Sequence, residues 1–369
     1  MGSMLQSPAS FIFVLVFPFS FFPKLVDGDT QPWPLVGVVL LLFANRAAIR
    51  ISTIDMGVLS LAILAVMTFF MRAGFSEASA RFAYKVISFT LFWFCSRTVS
   101  SALVSLGMKM VIVIWFVVGL FQTMAVSLGQ SAWIAGRFVE GRGGVPSLAP
   151  EPSLYGMLSV VAILYLLFSE RHTRPVFILM ALANVFMSGS ALAVIASIFV
   201  VSMLRFRTKL VFFTVLVPFV GYLVSTIGFQ FLNRVIDLFG ENADFQSLIM
   251  DYSINLRVGH IVYTLGPALL TSLFFLNDLV FEEAYNDWAL STFTFFPTGS
   301  DFILTGIGDI VYNGGIFGLG LLAVFFVSAY RQETRRPWIK LTVIIFLMLV
   351  QVGFASLFLA MFGLQRKGE

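Results

Sequence analysis

The feature that most constrains this chain is a series of long apolar segments separated by short polar clusters. Hydrophobic residues make up 59% of the 369 residues and charged residues 11%. Soluble proteins average about 45–50% and about 25%, so this chain has more apolar surface than a water-bounded core can bury. We therefore expect one integral membrane domain over residues 1–369. The apolar segments are residues 11–22, 33–45, 54–71, 86–107, 110–128, 154–168, 176–187, 191–204, 210–230, 303–329 and 338–363.

Segments of this length are typical of membrane-spanning helices, whereas outer-membrane barrels have shorter segments of alternating polarity. Lipid offers the backbone no hydrogen-bonding partner, so every span is expected to be helical. The sequence predicts an all-α, polytopic protein with about 11–12 transmembrane helices. The higher number allows for one missed span, because eleven spans leave the basic residues Arg366 and Lys367 outside.

Charged residues sort the connecting segments onto two sides. One side carries twelve Lys or Arg against three Asp or Glu, and the other carries ten against sixteen. The more basic side is predicted to be cytoplasmic. The opposite side has a first loop at residues 130–153 and a large loop at 231–301. The apolar stretch 261–275 within the large loop is expected to form interfacial or re-entrant helices.

Several classes of site are excluded by the residues that are scarce. Cys95 is the single cysteine and lies in an apolar segment, which excludes a disulfide framework and a cysteine-ligated metal. His172 and His260 lack the spacing of metal ligands. The basic residues mostly flank apolar segments and form no stripe with aromatic residues, so nucleic acid is not an expected partner. We expect neither a metal nor another cofactor.

The end of the first loop contains the most informative carboxylate. Pro152 fits the first position of a helix, which makes Glu151 the residue that caps the span beginning near Ser153. The helix dipole stabilises a carboxylate there by roughly 0.3–1 kcal/mol, so Glu151 is available as a proton acceptor. An alternative interpretation is a capping glutamate next to two arginines that contact lipid headgroups.

Arginines are the residues expected to bind phosphate, because the guanidinium group donates two parallel hydrogen bonds and stays charged. Arg137 and Arg142 lie in the first loop and Arg257 in the large loop. Arg97 lies in an apolar segment, where it must face a polar cavity or extend to the membrane surface. Arg257 and His260 share a face if their segment is helical. Together these arginines predict a cationic pocket on the outward side.

Three further features have a functional and a structural interpretation. Residues 188–190 (Ser-Gly-Ser) predict the turn of a hairpin that enters and leaves from the cytoplasm, with small residues for close packing. Asp301 and Asp309 either hold an acceptor sugar or cap a helix. Close packing is also expected of the glycines in the tenth segment: Gly306, Gly308, Gly314, Gly315, Gly318 and Gly320.

In this order, these motifs resemble the O-antigen polymerase and ligase superfamily. The resemblance extends from about Arg97 to the eleventh segment, and residues 149–156 (Ala-Pro-Glu-Pro-Ser-Leu-Tyr-Gly) are its most telling motif. Ligases of this superfamily place a histidine shortly before the glycine-rich span. Residues 298–301 (Thr-Gly-Ser-Asp) contain none, and His260 lies far upstream, so polymerase is favoured over ligase.

The resemblance implies a metal-independent GT-C class glycosyltransferase of the bacterial inner membrane, with a large periplasmic loop. It would transfer a growing glycan from undecaprenyl pyrophosphate to a lipid-linked repeat unit at the periplasmic face. Implied partners are this donor and acceptor, membrane lipids and a chain-length regulator protein. The expected base is Glu151, and the expected substrate-binding residues are Arg97, Arg137, Arg142, Tyr155, Arg257, His260 and Asp301.

Two other functions compete with this one. A transporter or flippase for a lipid-linked substrate needs ionisable groups near the membrane centre and broken helices in two related halves. Apart from Arg97 the apolar segments carry almost no charge, and we see no two-half symmetry. A purely structural scaffold leaves the outward loop rich in Gly, Arg and Glu unexplained.

Overall fold

The computed structural model describes residues 33–44, 51–98, 101–130, 144–149, 151–169, 175–202, 252–274, 281–292, 303, 305–331, 341–342, 344–345 and 348–349. These residues are mostly helical and contain no strand, which confirms the all-α prediction for this part of the chain. The helices are α1 (Trp33–Ala44), α2 (Thr53–Ala73), α3 (Glu77–Thr98), α4 (Ser101–Ser127), α5 (Pro152–Ser169), α6 (Pro175–Met187), α7 (Ala191–Ser202), α8 (Tyr252–Leu265), α9 (Pro267–Leu273), α10 (Phe281–Thr292) and α11 (Gly306–Arg331). The predicted spans 11–22 and 210–230 lie outside the described residues.

Three described helices are long and apolar enough to cross a membrane: α2, residues Ser105–Ser127 of α4, and α11. Helix α6 and most of α5 are apolar but shorter. Their lengths and composition support a helical membrane protein. The predicted spans 33–45, 54–71, 154–168, 176–187, 191–204 and 303–329 agree with α1, α2, α5, α6, α7 and α11 to within three residues.

One predicted boundary is wrong. The sequence predicts two spans, 86–107 and 110–128, with Lys109 between them. In the structure the break lies earlier, because α3 ends at Thr98 and α4 begins at Ser101. Lys109 lies inside α4, and its ammonium group packs over the ring of Phe177 on α6, 5.6 Å from the centroid. This cation–π contact gives the charge a partner within the bundle, so no break in the helix is needed.

The residues group into two compact units that alternate along the chain. The first unit contains α1 and α4–α7, and the second contains α2, α3 and α8–α11. This division is not evident from the sequence, which predicts a single domain. In the first unit α5 packs closely on the turn after α6 and on α7 at Gly156, which has no side chain. A Cβ added there would lie 2.4 Å from Ser188 Oγ and 2.6 Å from Ala193 Cβ.

In the second unit the start of α2 is joined to α3 by hydrogen bonds. Ser52 caps this helix, and its Oγ accepts from the backbone N–H of Asp55 at 3.3 Å while Asp55 Oδ2 accepts from the N–H of Ser52 at 2.8 Å. The other oxygen of Asp55 accepts from the indole N–H of Trp93 on α3 at 2.9 Å. The capping group therefore also joins α2 to α3.

Helix α11 is interrupted at Gly315, whose backbone angles (φ 55°, ψ −143°) are not helical. A Cβ at Gly318 would lie 2.1 Å from the carbonyl oxygen of Ile310, so the chain on the two sides of the break is in close contact. Only glycine permits both the positive φ and this approach. The prediction that the glycines of this span serve close packing is confirmed at Gly314 and Gly318, but the break itself is not evident from the sequence.

The segment 231–301 is helical at the apolar stretch where the sequence predicts helices. Residues 261–275 were expected to be helical, and α8 and α9 cover most of them. The first helix begins earlier than expected, at Tyr252, and Gly266 separates it from α9.

Two glycine substitutions test the close contact at the break. Gly318→Ala is expected to lower the free energy of unfolding by about 1–3 kcal/mol, because the new methyl group overlaps a backbone carbonyl. Gly57→Ala on α2 is the matched control: nothing lies within 4 Å of its Cβ, and alanine favours the helix by up to about 1 kcal/mol. Thermal unfolding in detergent measures both. Equal stability of the two variants would contradict the geometry at the break.

Candidate functional site

The short segment 144–149, just before α5, is held in place by side chains of α4. Gln122 Oε1 accepts from the backbone N–H of Ser147 at 2.7 Å, and Gln122 Nε2 donates to the Ser147 carbonyl at 3.0 Å. Ser147 Oγ donates to the carbonyl of Trp115 at 2.9 Å. Ser147 is buried and has a positive φ of 52°, which is uncommon for a residue other than glycine. Such strain persists only where surrounding contacts fix the backbone, and it is concentrated at functional sites.

The same segment rests on the turn between α6 and α7. Val145 donates its backbone N–H to the carbonyl of Met187 at 2.8 Å. Gly144 has a φ of 91°, and a Cβ there would lie 2.1 Å from the carbonyl oxygen of Ser188. The predicted turn at residues 188–190 is confirmed, and it supports the segment that leads to α5.

Glu151 lies at the end of this segment and caps α5, as predicted. Helix α5 begins at Pro152, and the carbonyl of Glu151 accepts the backbone N–H of Tyr155 at 3.2 Å. The hydroxyl of Ser153 donates a hydrogen bond to the carboxylate, which is partly exposed. A carboxylate on a fixed backbone, with one oxygen oriented by a hydroxyl, is suited to accept a proton from a bound substrate.

Tyr155 is buried and serves to join helices. Its hydroxyl group has two hydrogen-bond acceptors, Asn184 Oδ1 on α6 at 2.9 Å and the carbonyl oxygen of Trp115 on α4 at 3.1 Å. Asn184 in turn donates to the carbonyl of Ile112 on α4 at 3.2 Å. Tyr155 therefore positions α5, one turn after Glu151, and has no exposed surface. Its predicted contact with substrate stays a prediction.

Three of the predicted site residues lie outside the part of the chain that the structure describes. Arg137 and Arg142 lie outside the described residues, as does Asp301 of the large loop. Arg97 was predicted within an apolar span, but it lies in the last turn of α3, one residue before the helix ends. Its side chain lies outside the described part of the structure, so its role as a substrate-binding residue stays a prediction.

Arg257 and His260 lie on α8 of the second unit and share a face, as predicted. His260 is fully buried, with the rings of Phe281 and Tyr285 edge-on to it at 5.0 Å and 4.5 Å. Burial, and then the charge of Arg257, lower the pKa of His260 from 6.5 to about 3. His260 is therefore neutral and packed in the core, so it adds no charge to the predicted cationic pocket.

A polar cluster lies beside the interruption of α11. Lys85 on α3 forms an ion pair with Asp309, and Asn313 Nδ2 donates to the other oxygen of Asp309 at 2.6 Å. The Asp309 side chain is 6% exposed and that of Lys85 is 27% exposed. The carboxylate of Asp309 thus positions the ammonium group of Lys85. In the described parts of the chain, no group of three Asp, Glu, His or Cys side chains is arranged to bind a metal ion.

Arg72, in the last turn of α2, reaches the same stretch of α11. Its Nη1 donates to the carbonyl of Tyr312 at 3.2 Å, and its guanidinium group lies over the Tyr312 ring at 5.2 Å. The break at Gly315 interrupts the helical hydrogen bonds that would continue past Tyr312, and Arg72 supplies a donor there. Sequence reasoning missed Arg72, at the end of α2, and Lys85, in the first half of α3.

Comparisons of the chain with models of protein families, with curated proteins and with solved structures found no match. The resemblance to the O-antigen polymerase and ligase superfamily stays a prediction from the motifs around residues 149–156 and 188–190. The functional argument therefore depends on the geometry of the residues described above.

The neutral state of His260 is testable because the chain has only two histidines. In a His172→Gln variant labelled with ¹⁵N-histidine, the remaining imidazole signals should stay those of the neutral ring between pH 8 and about pH 5. The free energy of unfolding should decrease as the pH falls below 6.5, because the unfolded chain binds a proton that the folded protein excludes. A midpoint near 6.5 in the folded protein would contradict the burial.

Proposed function

We propose that the chain is a bacterial inner-membrane glycosyltransferase that polymerises lipid-linked oligosaccharides at the periplasmic face. The observation that carries the proposal is Glu151, a partly exposed carboxylate at the start of α5 that follows a segment whose Ser147 and Val145 are hydrogen-bonded to α4 and α6. The motif that contains it, residues 149–156, is the one that most resembles the O-antigen polymerase and ligase superfamily.

In the proposed reaction Glu151 accepts the proton of an acceptor hydroxyl. The hydroxyl oxygen bonds to the anomeric carbon of the donor glycan as the bond from that carbon to the pyrophosphate oxygen breaks. The pyrophosphate leaves with the electron pair, and the growing glycan is now attached to the lipid-linked repeat unit. General base catalysis of this kind contributes about 10²–10⁴ to the rate.

Cations are needed to stabilise the departing pyrophosphate. Arg137 and Arg142 precede the segment 144–149 in sequence, and we assign them this role. A fixed segment next to the reacting groups limits the entropy lost when donor and acceptor are aligned. The hydrogen bonds of Gln122 to Ser147 and the close contact of Gly144 with Ser188 fix this segment, and they support the proposal for that reason.

Substitution of the proposed base tests this function. Purified Glu151→Gln should form glycan ladders from a lipid-linked repeat unit at least about 10² times more slowly than the parent protein, because the amide cannot accept the proton. Glu283→Gln is the matched control, since Glu283 is exposed on α10. Full activity of Glu151→Gln would remove Glu151 from the mechanism. Transfer of a preformed chain to a different acceptor, without ladders, would indicate a ligase.

Transport of a lipid-linked substrate is the second candidate, and one observation favours it. Broken helices and buried ionisable groups mark the substrate sites of many transporters, and α11 has a break at Gly315 close to the Lys85–Asp309 pair. An assay with the purified protein in lipid vesicles distinguishes the two functions. Movement of the lipid-linked substrate across the bilayer, with no new glycosidic bond, would support transport and contradict the polymerase.

A further inference from the structure

The stretch of chain that contains Glu151 begins and ends on one oxygen atom of α4. Ser147 Oγ donates to the carbonyl oxygen of Trp115 at 2.9 Å. The hydroxyl group of Tyr155 lies 3.1 Å from the same carbonyl oxygen. Ser147 lies four residues before Glu151 and Tyr155 lies four residues after it. The chain from Ser147 to Tyr155 therefore leaves one atom and returns to it, with Glu151 in the middle.

The first end of this stretch is fixed by further contacts. Gln122 Oε1 accepts from the backbone N–H of Ser147 at 2.7 Å, and Gln122 Nε2 donates to its carbonyl at 3.0 Å. The backbone N–H of Ala149 donates to the carbonyl of Pro146 at 2.9 Å. This bond closes a tight turn in which Ser147, at a φ of 52°, is the first central residue. The backbone before Glu151 is thus fixed by both a side chain and its own turn.

The second end is fixed by α6 as well as by α4. The single hydrogen of the Tyr155 hydroxyl is shared between the carbonyl of Trp115 and Asn184 Oδ1, which lies 2.9 Å away. Asn184 Nδ2 donates to the carbonyl of Ile112 at 3.2 Å. A Cβ at Gly119 would lie 2.4 Å from the Tyr155 hydroxyl oxygen, so glycine is needed for this hydroxyl to reach the backbone of α4.

The two ends of the stretch are buried, whereas its middle is open. Ser147 is 2% exposed and Tyr155 is 0% exposed. Glu151, Pro152 and Ser153 are partly exposed. A short stretch that is held at both ends has few conformations. The buried contacts therefore restrict the position of Glu151 without covering it.

Joining the helices does not by itself require this arrangement. Small and apolar side chains pack membrane helices together, and every buried polar group needs a partner to offset the loss of water. A positive φ at a residue other than glycine is unfavourable, and such strain is concentrated at functional sites. Here the strained residue, Ser147, and two buried hydroxyl groups all lie within four residues of one partly exposed carboxylate.

We propose that Gln122, Ser147 and Tyr155 are positioning residues for Glu151, which hold its carboxylate in the geometry needed for proton transfer. They act through the backbone on both sides of the base. A misplacement of about 1 Å in an active site lowers the rate by about 10². This inference rests on the proposed function, in which Glu151 is the base.

Removal of the Tyr155 hydroxyl group tests the proposal in the polymerisation assay. Tyr155→Phe should lower kcat at least about tenfold and leave KM for the lipid-linked repeat unit within about twofold, because the base is misaligned while substrate binding is retained. Tyr165→Phe is the matched control, since it makes the same change at a buried tyrosine about 15 Å further along α5. Its kcat should equal that of the parent protein.

Ser147→Gly tests the other end of the stretch. Glycine adopts the positive φ readily, so the turn and the backbone contacts of Gln122 are retained while the hydroxyl is lost. This variant should lower kcat with KM unchanged. In a Glu151→Gln background, Ser147→Gly and Tyr155→Phe should each change the remaining rate by less than about twofold, because both act through this carboxylate. A general loss of structure would lower the rate in both backgrounds.

Amide hydrogen exchange tests the fixed backbone without the reaction. In the parent protein the N–H groups of Val145, Ser147 and Ala149 should be protected, because each donates a hydrogen bond. Their exchange should become faster in Tyr155→Phe and stay unchanged in Tyr165→Phe. Exchange in the parent at the rate of an unstructured chain would overturn the proposal, even if neither variant folds.

The remaining outcomes separate this proposal from the proposed function. Parental kcat in Tyr155→Phe, or an equal loss of kcat in Tyr165→Phe, would overturn the positioning role. Loss of activity in Glu151→Gln together with parental activity in Tyr155→Phe would contradict the positioning role alone. Full activity of Glu151→Gln would contradict the proposed function itself.

Discussion

A polar group that enters hydrocarbon needs its partner inside the protein, and both units of this structure depend on that constraint. In the first unit Gln122 satisfies the N–H and the carbonyl of Ser147, so a non-helical segment is tolerated among apolar helices. In the second unit Arg72 donates to the carbonyl of Tyr312 where α11 breaks. Irregular backbone is present in both places because a side chain from another helix compensates it.

Close approach of the backbone makes these compensations possible. Added Cβ atoms at Gly144 and Gly156 would overlap atoms of Ser188, so the turn after α6 can support the segment before α5 only with glycine at both positions. Hydrogen bonds between membrane helices contribute modestly, about 1 kcal/mol each, and packing of small residues supplies much of the rest. The position of Glu151 is therefore a result of packing as much as of hydrogen bonding.

The sequence predicts local features well and long-range partners poorly. Helix lengths follow from apolar segments, and the cap at Glu151 follows from Pro152, because both signals lie within a few residues. Lys109 is misread as a boundary because its partner Phe177 lies on another helix. The pairing of Lys85 with Asp309, 224 residues apart, leaves no trace in periodicity or charge counts. The burial of Tyr155 and His260 is not evident from the sequence for the same reason: the sequence does not reveal which side of a helix is packed.

A comparison within the chain separates a capping carboxylate from one available for chemistry. Asp55 also lies at the start of a helix, but it is 1% exposed and its two oxygens accept from Ser52 and Trp93. It is fully used in joining α2 to α3. Glu151 is partly exposed, its backbone carbonyl already accepts the first hydrogen bond of α5, and its carboxylate accepts a hydrogen bond from the hydroxyl of Ser153. Capping alone does not require a partly exposed carboxylate, so this contrast is consistent with the proposed role of Glu151 as a base.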